Sequence, residues 1–360
     1  MSDLRQRLTR HIHAIWQTPG LISTLLLPLS WLVTGFVHLK SWRFRSRTHT
    51  RPVTLPVVVV GNLMVGGTGK TPVVIALVQE LKKLGWRPGV ISRGYGANIP
   101  RTQARCGVSP LSPDTFGDEP SLIASATGVP VAVHPTRNLA LSTLHAQWPE
   151  VDIVIADDGL QHLALARDYE IVVQDARGLG NGRVLPAGPL REPRSRLARV
   201  DLIISNTSDT PSDEAVTNQH RNKPLPGLPA HVPVIRMQLQ PVSCTHLVSG
   251  QVVSWPQWRQ DNGNTALSAV AAIGQPERFF GMLQRQGLML EECIALPDHD
   301  DFSHPPFDRL STRLILVTDK DAVKRLGLND ERLWSVQVKP RFSDEAWVQH
   351  LHQTIKSRYP

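Results

Sequence analysis

Four consecutive valines, Val57–Val60, run straight into Gly61-Asn62-Leu63-Met64-Val65-Gly66-Gly67-Thr68-Gly69-Lys70-Thr71-Pro72, and no other stretch of the 360 residues restricts the fold as strongly. An unbroken β-branched run bounded by glycine reads as a strand buried on both faces, the environment a parallel sheet provides. From Pro72 to Leu84 the apolar residues fall at helical spacing and stop at Gly85, so a helix follows the loop. Strand, glycine-rich loop and helix are the parts of a phosphate cradle. Backbone N–H groups surround phosphate oxygens, a lysine reaches the β- and γ-phosphates, and a hydroxyl meets Mg²⁺. Met64, Val65, Gly66, Gly67, Thr68, Gly69, Lys70 and Thr71 are therefore the candidate nucleotide-binding set, with ATP and Mg²⁺ as expected cofactors. One departure is visible: strict G-x-x-x-x-G-K-[ST] spacing puts glycine where Met64 stands.

Such a cradle needs an acid at a neighbouring strand end to hold the metal. Val151-Asp152-Ile153-Val154-Ile155-Ala156 leads into Asp157-Asp158-Gly159, where at least one carboxylate is a metal candidate, although adjacent acids also cap turns. His162, three residues on, reads equally well as a structural histidine or a ligand. Transfer to an alcohol also needs a base within hydrogen-bond reach of the hydroxyl. Two loops qualify: Gly117-Asp118-Glu119-Pro120, otherwise a helix cap, and Pro297-Asp298-His299-Asp300-Asp301. Arg93, Arg137 and Arg191 could neutralise phosphate charge, though a lone arginine more often makes a structural ion pair. Cys106, Cys244 and Cys293 are widely spaced and odd in number, which argues against a disulfide framework and leaves buried packing thiols as the expectation.

Further short apolar runs at Gly89–Ser92, Val129–Val133, Val151–Ala156, Ile171–Gln174 and Leu202–Ser205 alternate with helical stretches such as Asn138–Trp148. That alternation predicts a doubly wound α/β sheet. A Pro-rich polar stretch over 211–233 marks a junction, after which Val234–Gln238, Ala266–Ile273, Leu314–Thr318 and Trp334–Val338 suggest a second, smaller α/β domain. The expected organisation is a basic apolar segment over 1–50, a P-loop domain over 51–225, a smaller α/β domain over 226–345 that closes over the site, and a C-terminal helix over 346–360.

Charge is concentrated at one end. Seven of the net eight positive charges lie in residues 1–52, so the body is close to neutral and lacks the basic stripe a nucleic acid would require. Between the basic clusters, Leu21–Leu39 carries no formal charge, with Trp16 and Trp42 flanking it. The length approaches that of a membrane span, but Pro28, Gly35 and the hydroxyls of Ser23, Thr24, Ser30 and Thr34 weaken that reading. Basic flanks and tryptophans favour a helix lying in the bilayer interface; a true span and a helix packed on its own protein are the alternatives.

Taken together these motifs resemble the tetraacyldisaccharide 4'-kinases of lipid A synthesis. The likeness runs through the glycine loop, Ser92-Arg93-Gly94-Tyr95, Gly117-Asp118-Glu119-Pro120, Asp157-Asp158-Gly159-Leu160-Gln161-His162, Pro186-Ala187-Gly188-Pro189-Leu190-Arg191-Glu192, Pro297-Asp298-His299 and Val317-Thr318-Asp319-Lys320-Asp321-Ala322-Val323-Lys324. The resemblance implies transfer of the ATP γ-phosphate to the 4'-hydroxyl of a tetraacylated disaccharide 1-phosphate, giving lipid IV-A at the cytoplasmic face of the bacterial inner membrane. It implies Asp118 as base assisted by His299, and Lys70 on the γ-phosphate. Thr71, Glu119, Asp157 and Asp158 would serve Mg²⁺, and Arg137 and Arg191 transferring or substrate phosphate. The expected partners are the acylated disaccharide phosphate lipid and the inner-membrane surface, with no nucleic acid, and the chain is expected to be a monomer. A membrane-associated deviant-Walker ATPase or GTPase switch is the rival, but Val65 occupies the position of its additional lysine, and Asn206-Thr207-Ser208-Asp209 lacks the lysine of N-K-x-D.

Overall fold

The four-valine run is a strand buried along its whole length and hydrogen-bonded in parallel on both sides, as its composition requires. The computed structural model describes residues 12, 15–45, 53–206, 227–298, 300, 302–324 and 329–359. The N-terminal part holds the helices α1 (Leu21–Leu25) and α2 (Leu27–Arg45). A first lobe contains β1 (Val57–Gly61), α3 (Lys70–Lys83), β2 (Pro88–Ser92), β3 (Arg105–Gly107), α4 (Pro113–Phe116), α5 (Asp118–Thr127), β4 (Val131–Val133), α6 (Arg137–Gln147), β5 (Ile153–Asp157), β6 (Tyr169–Asp175) and β7 (Leu202–Asn206). A second contains β8 (Val234–His246), β9 (Val252–Ser254), α7 (Trp255–Asn262), β10 (Leu267–Ala271), α8 (Pro276–Arg285), β11 (Leu290–Ala295), β12 (Ile315–Thr318), α9 (Asp319–Ala322) and β13 (Leu333–Phe342). The last helix, α10 (Trp347–Arg358), returns to pack Trp347, Val348, Leu351 and Ile355 into the core of the first lobe.

One sheet links both lobes in the order β11-β10-β12-β13-β8-β7-β6-β1-β5-β2-β4-β3, with β9 beside β8. All neighbours are parallel except β13–β8, β8–β9 and β3–β4. In the first lobe α3, α5 and α10 cover one face while α6 and the 184–200 segment cover the other, which is the doubly wound arrangement. The second lobe has its own two cores, one around Trp255, Trp258, Phe279 and Phe280, the other around Phe302, Phe307 and Leu310.

Several boundaries shift for local reasons. The helix after the glycine loop starts at Lys70 and holds Pro72 in its first turn, where a missing N–H costs nothing. The strand expected over 129–133 begins at Val131. β8 runs on through Pro241 to His246, with a register shift against β13 between Gln337 and Val338 that accommodates the proline. Cys106 is half-buried and Cys244 buried, and burial pushes both thiols up to about 12. Cys293 corrects the expectation of three packing thiols: it is exposed, because β11 forms the sheet edge and faces solvent. The 225/226 domain boundary, part of the N-terminal basic cluster including Arg47 and Arg51, and His299 and Asp301 lie outside the described residues. Among the described residues no helix is long and apolar enough to cross a membrane. The uncharged run is broken at Leu26, between α1 and α2.

Candidate active site

The glycine loop between β1 and α3 opens at the carboxyl ends of the parallel strands, the edge where doubly wound sheets take ligands. Gly69 has φ +92°, and a Cβ there would stand 2.5 Å from Asn206 Nδ2, so glycine is what lets α3 begin immediately at Lys70. Gly117 plays the same part before α5: its φ is +94° and a Cβ would meet Tyr95 O at 2.6 Å, which brings Asp118 and Glu119 close under the β2 loop.

Register places the acids. Val60 at the end of β1 pairs with Asp157 at the end of β5, so the carboxylates sit beside the loop that β1 feeds. Lys70 Nζ lies 3.5 Å from Asp158 Oδ1, and Arg191 Nη1 lies 3.3 Å from both oxygens of Asp158. Burial pulls the Asp158 carboxyl up, but Lys70, Arg191 and Arg137 outweigh it and hold the group below its ordinary value. Asp157 is wholly buried; its Oδ2 accepts from Ser92 Oγ at 3.0 Å while its Oδ1 has no hydrogen-bond partner. Desolvation and the neighbouring Glu119 push it up to about 7, against the pull of Lys70.

Arg137 Nη1 donates to His134 O at 3.1 Å, and Nη2 donates to the Asp157 and Asp158 carbonyls, both at 3.2 Å. The guanidinium thus buttresses the acid pair from behind. His162 Nε2 accepts from the Arg137 backbone N–H at 3.3 Å, and burial, reinforced by Arg137, Arg167 and Lys40, pushes the imidazole down to about 4. His162 thus packs against the start of α6 while also lining the cleft.

A cleft of about 1670 Å³ lies between the lobes, lined by Gly66 through Thr71, Arg93, Glu119, Arg137, Asp157, Asp158 and Arg191 from one side and Gly274, Gln275, Asp298 and Lys320 from the other. The lining starts at Gly66. Met64 and Val65, expected with the binding set, instead shape the loop: Met64 is packed in the core and bridges Leu190, and the Val65 N–H donates to Pro189 O at 3.0 Å.

The second lobe reaches the site through residues to which sequence reasoning gave no role. Thr318 caps the short helix α9, accepting from the Asp321 N–H, and one helical turn sends two lysines across the cleft. Lys320 Nζ lies 3.2 Å from Glu119 Oε1 and 3.5 Å from Asp298 Oδ1, and Lys324 Nζ lies 3.5 Å from Asp118 Oδ2. Burial alone lowers the Lys320 ammonium, but Glu119, Asp298 and Asp118 more than reverse it and leave it raised. The lysines four apart behind a strand-end threonine were the available signal. Near the glycine loop, Arg177 grips buried Asp175 through Nε and Nη2 and also donates to Gly67 O at 3.4 Å, while Gln275 of the second lobe donates to Asp175 at 3.2 Å.

Among the described residues no three His, Cys, Asp or Glu side chains form an all-protein metal cage. Mg²⁺ does not require one, since it is held by one or two carboxylates plus phosphates and water. The unpartnered Oδ1 of Asp157, with Glu119 and the Thr71 hydroxyl on the same cleft, fits that donor set.

Residues 22–356 match the sequence pattern of the family described as tetraacyldisaccharide-1-P 4'-kinase. A tetraacyldisaccharide 4'-kinase from Bordetella petrii is 50% identical over 349 residues, covering 95% of this chain and 94% of that one. One from a Janthinobacterium species is 42% identical over 369 residues, covering 99% of each. The fold matches a crystal structure of LpxK from Aquifex aeolicus in complex with ATP, with a TM-score of 0.73, 24% identity, and coverage of 94% of this chain and 99% of that chain.

Proposed function

The chain belongs to the tetraacyldisaccharide-1-P 4'-kinase family, and from that premise we propose how its cleft divides the work. It is a kinase of lipid A synthesis that phosphorylates the 4'-hydroxyl of a tetraacyldisaccharide 1-phosphate, with ATP as donor; family membership removes the switch reading. The observation that carries the assignment to this cleft is the convergence of Lys70, Asp158 and Arg191 beside a buried carboxylate, Asp157, that keeps one oxygen free.

In this reading the backbone N–H groups of Gly66–Gly69 and Lys70 cradle the donor phosphates at the start of α3. Thr71, Asp157 and Glu119 hold Mg²⁺, and Asp158 keeps Lys70 and Arg191 aligned until phosphate competes for them. Mg²⁺, when bound, neutralises phosphate oxygens in the transfer. Arg137 fixes the carbonyls of both acids, so its effect on phosphate is largely through them. Asp118 takes the proton of the sugar hydroxyl, with His299 assisting. Lys320, bound to both Glu119 and Asp298, holds the start of α5 against the segment that carries Asp298 across the cleft.

The acceptor stays in a bilayer through its acyl chains, and the chain carries a surface suited to that phase. Leu21, Leu25, Trp31, Leu32, Phe36 and Trp42 of α1 and α2 are all exposed, next to the basic residues Lys40 and Arg43. Such helices lie in the interface, with each nearby cation adding roughly 1 kcal/mol on anionic lipid. The body then sits on the cytoplasmic face of the inner membrane with its cleft near the sugar headgroup.

The test is transfer of label from γ-labelled ATP to detergent-dispersed tetraacyldisaccharide 1-phosphate, beside a panel of other lipid acceptors. Wild-type protein should label the disaccharide phosphate, and Lys70→Ala and Asp118→Ala should not; full activity of Asp118→Ala would remove that residue from the mechanism.

A further inference from the structure

The lipid-facing helices carry polar groups on their inner side that an amphipathic anchor does not need. Ser23 and Ser30 are 0% and 3% exposed, while Trp31 and Leu32 on the outward side of α2 are 67% and 72% exposed. Burying a hydroxyl is unfavourable unless its proton and a lone pair are both used. At Ser30 both are used, and on one target: Oγ donates to Val184 O at 2.8 Å and accepts from the Ala187 N–H at 3.0 Å. The same segment reaches back, with Arg183 Nη1 donating to Ser23 Oγ at 2.9 Å and Thr24 Oγ1 at 3.1 Å. Trp16 Nε1 adds a bond to Pro186 O at 3.0 Å.

That target is a strap, residues 183–191, closed on itself by Leu190 N to Arg183 O (3.1 Å) and Leu185 N to Leu190 O (2.9 Å). Its other side is bonded to the glycine loop. Val65 N donates to Pro189 O at 3.0 Å and Arg191 N to Leu63 O at 2.7 Å, and the strap ends in the Arg191 guanidinium on Asp158. An unbroken set of hydrogen bonds therefore runs from α1 and α2 through the strap into the cradle.

Resting on the kinase reading above, we infer that Ser30, with Arg183 as its counterpart on the strap, is a positioning residue for the Arg191 guanidinium. The helices that seat the protein on lipid thereby also set the geometry of phosphoryl transfer. The hydroxyls are retained in an apolar segment because they face the strap, not the lipid.

The experiment is a double-mutant cycle in the full chain, assayed with ATP and dispersed tetraacyldisaccharide 1-phosphate, alongside recovery on phosphatidylglycerol-containing vesicles. Ser30→Ala should lower kcat about tenfold, the scale of a sub-ångström misplacement, with vesicle recovery unchanged and KM for ATP within about twofold. On an Arg191→Ala background the same change should cost less than about twofold, because the residue through which it acts is gone. Arg183→Ala, which leaves no buried gap, should follow the same pattern and carries the test if Ser30→Ala does not fold; Arg183→Lys should recover part of the loss. Unchanged kcat in Ser30→Ala and Arg183→Ala, losses that multiply with that of Arg191→Ala, or a fall explained by lost vesicle binding would each overturn the inference. Absence of lipid phosphorylation by the wild-type protein would instead sink the kinase reading itself.

Discussion

Replacing Asp157 with asparagine separates what the site needs from what the fold prefers. The carboxyl is fully buried, one oxygen has no partner, and desolvation with Glu119 nearby raises it from 3.8 to about 7. A group whose folded value exceeds its unfolded value gains a proton on folding between the two, and above the higher one the folded state carries the whole cost of the buried charge. A rise of some three pH units at ~1.4 kcal/mol each caps that cost at ~4 kcal/mol. Asp157→Asn should therefore stabilise the metal-free, nucleotide-free protein at pH 8, by up to ~5 °C in Tm for a chain of this length. At pH 4 it should change little. The same substitution removes the proposed metal ligand and should abolish phosphoryl transfer. Thermal unfolding in chelator from pH 4 to 8 reads both arms: wild type should lose stability relative to the variant as pH rises toward 7. A variant no more stable than wild type at pH 8, or parallel pH profiles, would refute the claim that burial dominates this carboxylate.

Lys320→Met removes the ammonium that bonds both Glu119 and Asp298, and steady-state assays should show kcat falling by about tenfold or more with KM for ATP little changed. His162→Gln keeps an acceptor for the Arg137 N–H while removing a group held at about 4, so the loss of stability that wild type shows as pH falls from 6.5 toward 4 should flatten in denaturation midpoints. Trp31→Ser with Phe36→Ser removes two exposed anchors and should weaken vesicle recovery while leaving Tm within about 1 °C, since neither side chain is buried in the body.

The centre of the fold was legible because local and global demands coincide there. Val57–Val60 can only be a doubly covered strand, and Gly69-Lys70-Thr71 suits only a helix start. Strands near Ile153, Ile171 and Leu202 are continuous apolar runs and fall within two or three residues of expectation. The edge elements were not legible: Arg105–Gly107, Val252–Ser254 and Leu290–Ala295 are short or solvent-facing, and sheet pairing rather than composition makes them strands. The apolar run that signals β8 stops at Gln238, whereas the bulge opposite Pro241 lets pairing continue to His246. In the site, residues on one loop were recognisable together, but partners joined only by folding were not. Lys320 with Glu119 spans 201 positions and Ser30 with Val184 spans 154, and nothing in either local pattern announces the other.

The strand β8 has a further meaning for the integrity of the molecule. Its first residues ladder with β7, from Ile203 and Val234 to Asn206 and Met237, and from Met237 to His246 it ladders with β13. The halves are thus stitched side by side through amide bonds of the sheet, and not merely tethered by the peptide that leads from one to the other. A protease cut between β7 and β8 should yield two fragments that co-migrate on gel filtration and separate only in denaturant. Any relative movement of the halves must therefore deform this common ribbon and cannot pivot on the linking peptide alone.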